Sequence, residues 1–220
     1  MPALRRSALL IGVFAAAFVG VTLVVAAGGF HSMDRSVAHG MADIYVPWLL
    51  GLFRAIALLG GIEMTWAIGL GLFIYLRRHG YRRGSLAAGA VVLATIAETF
   101  YKRVVGQPGP PLNLSHPDGP SFSDLVERAG FAASYPSGHM TRTVVAYGLL
   151  AFVVHRLTRR EWARRAALPA FLVVVVLMVI DRLYLGVHWE SDVIGGLLLG
   201  TTVLAAAITW LEWSESVRNE

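Results

Sequence analysis

The chain has 220 residues, of which 56% are hydrophobic and only 15% charged, and its mean hydropathy is +0.61. An ordinary soluble domain carries about 25% charged residues, and a soluble core of this size could not bury so much apolar surface. The absence of cysteine excludes disulfides, thiolate catalysis and cysteine-based metal sites. The net charge of +5 and pI near 10.0 favour anionic lipid headgroups over nucleic acid as the partner, because the basic residues cluster where apolar runs end.

Six runs of nearly uniform apolar residues predict an all-α, polytopic bundle of about six transmembrane helices. They cover residues 9–27, 55–76, 84–101, 143–154, 166–180 and 193–210. A helix needs roughly 17–25 residues to cross the bilayer, so the fourth and fifth runs must include flanking residues. The first run is longer than the roughly 7–15 apolar residues of a signal peptide, and we interpret it as a retained helix. With no internal repeat or low-complexity tract, the sequence predicts one membrane-embedded domain over residues 1–220.

Basic residues lie mostly on alternate connections between these runs, and this pattern predicts the orientation of the chain. Most of the 19 Lys and Arg lie at the two ends and in the segments 77–83 and 156–165. Because cytoplasmic loops are enriched in Lys and Arg, both termini are predicted to be cytoplasmic. Residues 28–54, 102–139 and 181–192 are then outside. The first of these stretches is predicted to form an amphipathic surface helix, since charged residues and a proline interrupt its apolar residues.

Polar residues are concentrated at the predicted outer ends of the helices. Ser137 and Gly138 follow Pro136 at the start of the fourth helix, where a serine can cap the helix and free backbone N–H groups bind anions, phosphate above all. His188 and Asp192 are four residues apart and share one face of a helix. The carboxylate can fix the imidazole tautomer and leave the other nitrogen free as a nucleophile or base.

Further basic residues adjoin the same outer ends. Lys102 ends the third helix, His139 follows Gly138, and Arg182 precedes the last helix. Two histidines, two cations and a helix amino end together predict a phosphoryl-transfer site. Catalysis there would depend mostly on positioning and charge stabilisation.

These residues resemble the three-part signature of the type 2 phosphatidic acid phosphatase (PAP2) superfamily, which also includes bacterial undecaprenyl-diphosphate phosphatases. The three parts are Lys102, the Pro-Ser-Gly-His sequence at 136–139, and Arg182 followed by His188 and Asp192. The resemblance extends over residues 55–210 and includes the six-helix layout. It implies an integral-membrane phosphatase that acts without cofactor or metal ion on a lipid mono- or diphosphate, such as phosphatidic acid, phosphatidylglycerol phosphate or a polyprenyl diphosphate.

The resemblance also implies a role for each residue. His188 would be the nucleophile that forms a phosphohistidine, and Asp192 would orient it. His139 would protonate the leaving lipid oxygen and then activate water. The groups that would hold the phosphoryl oxygens are Lys102, Arg182 and the amides of Ser137 and Gly138. Its partners would be the lipid phosphate substrate and the membrane lipids, with no nucleic acid, and the sequence carries no signal for the number of subunits.

One part of the signature departs from the family pattern, in which six residues separate the lysine from an Arg-Pro pair. Gly109 stands at the arginine position before Pro110, and Gln107 stands where a second arginine is frequent. A phosphate-binding cation expected from the resemblance is therefore missing.

Arg142 is the residue predicted to replace this cation. It lies three residues after His139 on nearly the same helical face, and its side chain can lean towards the outer end of the helix. In the alternative interpretation it pairs with Glu98 or extends to lipid headgroups. Glu98 is itself expected to pair with Lys102 one turn later, and Arg182 with the neighbouring Asp181.

Other interpretations of the same residues remain. His188 and Asp192 could be a structural polar pair, or two metal ligands completed by His139 or His116. Two rival functions are a lipid-binding relative that lost turnover with the arginine, and a phosphotransferase that passes the phosphoryl group to an acceptor other than water. The intact His139, His188 and Asp192 favour the phosphatase.

Overall fold

The computed structural model describes residues 2–116 and 133–216 and confirms an all-α helical bundle. The α-helices within these ranges are α1 (Pro2–Ala26), α2 (His31–Asp43), α3 (Leu50–Gly60), α4 (Ile62–Arg78), α5 (Ala90–Val105), α6 (Gly138–Leu157), α7 (Glu161–Tyr184) and α8 (Glu190–Ser216). Short 3-10 turns lie at Pro47–Leu49, Gly84–Gly89 and Leu112–Leu114. Part of the predicted outer stretch 102–139 and the end of the basic carboxyl tail lie outside the described residues.

Five segments of the described chain are long and apolar enough to cross a membrane, one fewer than the six predicted. They are Arg6–Ala26, Pro47–Arg78, Gly84–Val105, Glu161–Tyr184 and Glu190–Ser216. The remaining predicted span corresponds to α6, which is 20 residues long but carries two arginines and two histidines. These polar residues lower the hydropathy of α6. Some of them belong to the candidate active site, which explains their presence in this helix.

The span predicted over 55–76 is present within Pro47–Arg78, but it is not one continuous helix, because the chain breaks between α3 and α4. Gly61 has extended backbone angles, φ −61° and ψ 157°, and glycine is a poor helix former. Carbonyl groups at a helix end lack intrahelical partners, and Arg142 Nε donates to Gly60 O at 3.3 Å. The absence of a side chain at Gly60 also brings α3 close to α6, since a Cβ there would lie 2.9 Å from Thr143 Oγ1.

The central helix of the bundle is α6. It packs most extensively against α7 and α8 and also contacts α3, α4 and α5. Two glycines of α8 allow the close approach: a Cβ on Gly196 would lie 2.7 Å from Ser137 O, and one on Gly200 would lie 2.9 Å from Thr141 O. Small residues at helix contacts are a common feature of membrane bundles. They hold the amino ends of α6 and α8 side by side.

Large apolar side chains cover the outside of the bundle. Exposed examples are Leu9 on α1, Leu70 on α4, Ile96 on α5 and Val173 on α7. Soluble monomers rarely expose contiguous apolar surface of this extent, whereas lipid-facing helix surfaces are apolar. The exposed surface therefore agrees with the five candidate spans.

Candidate active site

The pair predicted from spacing, His188 and Asp192, meets at the amino end of α8. His188 Nδ1 lies 3.3 Å from Asp192 Oδ2, and both side chains are buried. The backbone N–H of Trp189 donates to the same oxygen at 2.8 Å, so the first turn of the helix holds the carboxylate. A carboxylate that accepts the Nδ1–H of an imidazole fixes its tautomer and leaves the lone pair on Nε2. This arrangement can supply a nucleophile or a base.

The amino end of α6 is joined directly to that of α8. The backbone N–H of Ser137 donates to Asp192 O at 3.0 Å. A phosphate contact by this amide stays a prediction, and it would have to replace the bond to Asp192 O. The Ser137 side chain does not cap the helix either, and its buried Oγ makes no hydrogen bond within the described residues. The hydroxyl is thus the Ser137 donor left for a phosphoryl oxygen.

Gly138, the first residue of α6, lies against a side chain of α5 that leaves no room for a Cβ. A Cβ at this position would collide with the carboxylate of Glu98, which lies on α5. The glycine therefore allows α5 to approach the start of α6. A contact between the Gly138 amide and phosphate stays a prediction.

The three cations predicted to bind phosphate are buried around His139. Lys102 lies on α5, Arg142 on α6 and Arg182 on α7, and they are 4%, 1% and 1% exposed. All three cations and His188 lie close enough to His139 to act on it electrostatically. Two histidines and three cations, from α5, α6, α7 and the segment before α8, therefore form one cluster.

The two arginines of this cluster each have a carboxylate partner. Arg182 Nε donates to Asp181 Oδ2 at 2.8 Å, which confirms the pairing expected from their adjacency. Arg142 forms an ion pair with Glu98, as the alternative interpretation of this arginine expects. Its Nη2 is also buried and makes no hydrogen bond within the described part of the chain. Phosphate binding by Arg142, and the expected Glu98–Lys102 pair, stay predictions.

Gln107 contacts the carboxylate of Asp192, a position that the sequence did not indicate. Its Nε2 lies 3.3 Å from Asp192 Oδ1 and 3.3 Å from Ser191 Oγ. The position thus holds a neutral donor beside Asp192 where an arginine is frequent in the family pattern. At Gly109, a Cβ would be 3.7 Å from Ser134 Cβ, an ordinary van der Waals contact, so a side chain can start there.

Asp34 was also missed, and it connects α2 to the amino end of α8. The helix predicted after the first span is present as α2, and Asp34 is its buried residue. The carboxylate accepts the backbone N–H of Ser191 at 2.9 Å and the Ser191 hydroxyl at 2.8 Å. Burial raises the pKa of Asp34, although the two bonds from Ser191 oppose this change. No spacing pattern could have linked residues so distant in sequence.

Comparison with known proteins identifies the family. The model of the PAP2 superfamily matches residues 83–216, which include all three parts of the signature and most of the bundle. The chain belongs to the PAP2 superfamily.

Two curated relatives extend the similarity beyond the PAP2 match. Phosphatidylglycerophosphatase B of Bacillus subtilis is 27% identical over 189 residues, which cover 83% of this chain and 85% of the relative. Decaprenylphosphoryl-5-phosphoribose phosphatase of Mycobacterium tuberculosis is 32% identical over 168 residues, which cover 76% of this chain and 83% of the relative.

A solved structure has the same fold. The crystal structure of a transmembrane PAP2 type phosphatidylglycerolphosphate phosphatase from Bacillus subtilis superposes with a TM-score of 0.74 at 22% identity, over 94% of this chain and 97% of that one. The fold, the PAP2 membership and the apolar helices show that the chain is a phosphatase and a multi-pass membrane protein.

The surroundings of the histidines also bear on the interpretation that they bind a metal ion. Across residues 2–116 and 133–216, no group of three or more His, Asp or Glu is arranged to hold a metal ion. His116, one of the suggested third ligands, instead stacks on Tyr45 with ring centroids 3.7 Å apart. His188 pairs with Asp192. The effect of EDTA on activity tests whether the reaction needs a metal ion.

Proposed function

We propose that this PAP2 protein hydrolyses a lipid mono- or diphosphate at the outer face of the membrane through a phosphohistidine intermediate. The observation that carries the proposal is the His188–Asp192 pair at the joined amino ends of α6 and α8. Buried cations surround it, and a second histidine, His139, lies within their field. Helix amino ends and cations stabilise phosphoryl groups.

In the first step, His188 Nε2 attacks phosphorus as the bond from phosphorus to the lipid oxygen breaks. His139 donates a proton to that oxygen, which leaves as an alcohol or, from a diphosphate, as a lipid monophosphate. Asp192 accepts the Nδ1–H and stabilises the positive charge on the imidazole of His188. In the second step His139 removes a proton from water, the water oxygen bonds to phosphorus, and the N–P bond breaks to release inorganic phosphate.

The surrounding residues stabilise the charge that develops on the phosphoryl oxygens. Lys102 and Arg182 supply fixed positive charge, and the Ser137 hydroxyl is a buried donor without a hydrogen bond in the described structure. In phosphoryl transfer, catalysis depends largely on such positioning and electrostatics.

The outer location follows from the distribution of basic residues. The segments 77–83 and 156–165 carry many of the arginines and lie at the opposite ends of α5 and α6 from Lys102 and Ser137. Because basic segments stay in the cytoplasm, the site would face outward and both termini inward.

The test is phosphate release by the purified protein in detergent, measured on a panel of lipid mono- and diphosphates. We expect His188→Ala to abolish release, and His139→Ala to lower it by about 10²–10⁴-fold, the usual contribution of general acid–base catalysis. His155→Ala is the matched control, because His155 is exposed near the other end of α6 and bonds Arg164 O. Full activity in His188→Ala would exclude His188 as the nucleophile and so contradict the proposed mechanism.

Two additives test the chemistry of the step. Vanadate should inhibit, because it mimics the pentacoordinate phosphoryl group. EDTA should have no effect, since the proposed nucleophile is a histidine rather than a metal-bound water. Inhibition by EDTA that a divalent ion reverses would favour a metal site over this proposal.

A further inference from the structure

A cavity of about 450 Å³ lies between α2, the chain that follows α5, and the residue after His188. Besides Asp34, its polar or aromatic lining residues are His31, Arg35, His39, Gln107, Asn113 and Trp189. Ligand pockets generally measure about 300–1,000 Å³, so this cavity is large enough to hold a ligand. Its polar lining suits a small polar group rather than a lipid chain. Neither the signature nor the mechanism above uses it.

The cavity adjoins the catalytic pair. Gln107 lines it and places Nε2 3.3 Å from Asp192 Oδ1. Trp189 lines it as well, and its backbone N–H donates to Asp192 Oδ2 at 2.8 Å. The indole N–H of Trp189 donates to Pro108 O at 2.7 Å, which fixes the ring in the wall. A ligand in the cavity would therefore be separated from Asp192 by the side chain of Gln107 alone.

The wall formed by α2 is basic. His31, Arg35 and His39 follow one another at intervals of four residues, and this spacing puts them on one face of the helix. Arg35 carries a permanent charge and presents several N–H donors in a fork that matches phosphate geometry. Asp34, the acidic residue of the same wall, already accepts both bonds from Ser191 with its two oxygens. Those bonds also fix α2 against α8, so the basic face has a defined position.

We propose that this cavity binds the phosphopolyol headgroup of the substrate: a second phosphoryl group and its hydroxyl-bearing spacer, situated between the scissile phosphoryl group and the lipid. The inference rests on the proposed function, because it assigns a headgroup to the same reaction. Arg35 binds the second phosphoryl group, and the amides of Gln107 and Asn113 face the hydroxyl groups. A lipid whose single phosphate is joined directly to its glycerol backbone has nothing to place there.

The experiment compares phosphatidylglycerol phosphate, which has the spacer and the second phosphoryl group, with phosphatidic acid, which has neither. Phosphate release is measured in neutral detergent micelles for the wild type, Arg35→Ala and His39→Ala. We expect kcat/KM of the wild type to favour phosphatidylglycerol phosphate. Arg35→Ala should lower that preference by about tenfold or more, the loss expected for a charge-assisted hydrogen bond. His39→Ala should lower it in the same direction, and activity on phosphatidic acid should stay near the wild-type value.

Arg159→Ala is the matched control, because Arg159 is an exposed arginine between α6 and α7 and does not line the cavity. An equal loss on both substrates in Arg35→Ala, or a wild type without preference, would overturn the headgroup site while leaving the phosphatase intact. A repeat with anionic phosphatidylglycerol added to the micelles separates the sources of phosphate. If the Arg35→Ala effect appears only then, Arg35 binds a bystander lipid and the proposal is wrong. No release from either lipid by the wild type would instead count against the proposed function itself.

Discussion

Asp34 connects the helix after the first span to the start of α8, which carries Asp192 and directly follows His188. A carboxylate at a helix amino end satisfies free N–H groups and complements the helix dipole, and here it accepts both donors of Ser191. Because the next residue is Asp192, a shift of Ser191 would move the carboxylate that orients His188 in the proposed mechanism. We therefore propose Asp34 as a positioning residue rather than a catalytic one.

We expect Asp34→Asn to lower kcat about tenfold with little change in KM, because asparagine retains a single acceptor oxygen and loses one charge-assisted bond. Asp43→Asn, at an exposed position of the same helix, is the control and should behave as wild type. Steady-state kinetics of the three proteins in detergent provide the measurement. A loss confined to KM would contradict a role in orienting the nucleophile.

The pH dependence of stability provides a second readout for Asp34. Burial raises its pKa above 3.8 in the folded protein, so between 3.8 and the folded pKa the folded state binds more protons than the unfolded state. Stability attributable to this group therefore falls as pH rises through that window and is constant above it. Thermal melts across this range should show the slope in the wild type but not in Asp34→Asn. A slope of opposite sign would mean that the bonds from Ser191 outweigh the burial.

Arg142 is the residue whose two interpretations can be separated by mutation. If it binds phosphate, Arg142→Ala should lower turnover by about 10²–10³-fold, the loss typical of a preorganised donor, and Gly109→Arg should partly restore it. Glu98→Gln is the matched variant, because it breaks the same buried ion pair but keeps the guanidinium. We expect Glu98→Gln to retain much more activity than Arg142→Ala. Equal losses of activity in both variants, together with equal destabilisation, would show that the role of Arg142 is structural.

At the scale of helices, the site depends on how closely α6 and α8 approach. A Cβ on Gly196 would lie 2.7 Å from Ser137 O and 2.8 Å from Met140 Cβ, so one helix would have to move. Overpacking a buried contact typically costs about 1–3 kcal/mol. The displaced atom belongs to Ser137, whose hydroxyl is proposed to donate to the phosphoryl group.

We therefore expect Gly196→Ala to destabilise the protein by about 1–3 kcal/mol and to reduce phosphatase activity. The control is Gly71→Ala in α4, where a Cβ would have nothing within 4 Å, and its effect should be neutral or slightly stabilising. Unfolding in detergent, followed by loss of helical signal, measures both. Similar midpoints for the two variants would show that α8 can shift without cost.

The helices and the signature residues could be predicted from the sequence because both rest on local patterns. Apolar runs locate the helices, and the four-residue spacing correctly predicted that His188 and Asp192 meet, although His188 lies two residues before α8 rather than on it. The break at Gly61 was not predicted, because the apolar run continues on both sides of it apart from Glu63 and Thr65, and the break is stabilised by α6 through Arg142.

Contacts between distant segments could not be predicted. Asp34 and Gln107 both reach Ser191, and nothing in the spacing of the sequence relates these positions. The amide of Ser137 was assigned to phosphate because a free helix end binds anions. The bond to Asp192 O depends on the packing of α6 against α8, which the sequence pattern does not specify.

At the scale of the whole molecule, the orientation in the membrane can be tested directly. The chain has no cysteine, so a single introduced cysteine is the sole target of a thiol reagent. Asn113 and His79 are both exposed and lie at opposite ends of α5. We expect a membrane-impermeant maleimide applied to intact cells to label Asn113→Cys but not His79→Cys. Permeabilised cells should label both, and the reverse pattern in intact cells would overturn the assignment of the outer face.

The ion pair of Arg142 affects the order in which the bundle can be assembled during synthesis. The ribosome produces α6 before α7 and α8, the two helices against which it packs most. An arginine at the centre of a membrane segment costs about 2.5–3.5 kcal/mol to insert, and Arg142, about one turn inside the amino end of α6, carries part of this cost. Both groups that hold Arg142, Glu98 on α5 and Gly60 O at the end of α3, precede it in the chain. When α6 reaches the translocon, the countercharge for its arginine is already in the membrane, and insertion of this polar helix need not wait for the last two helices.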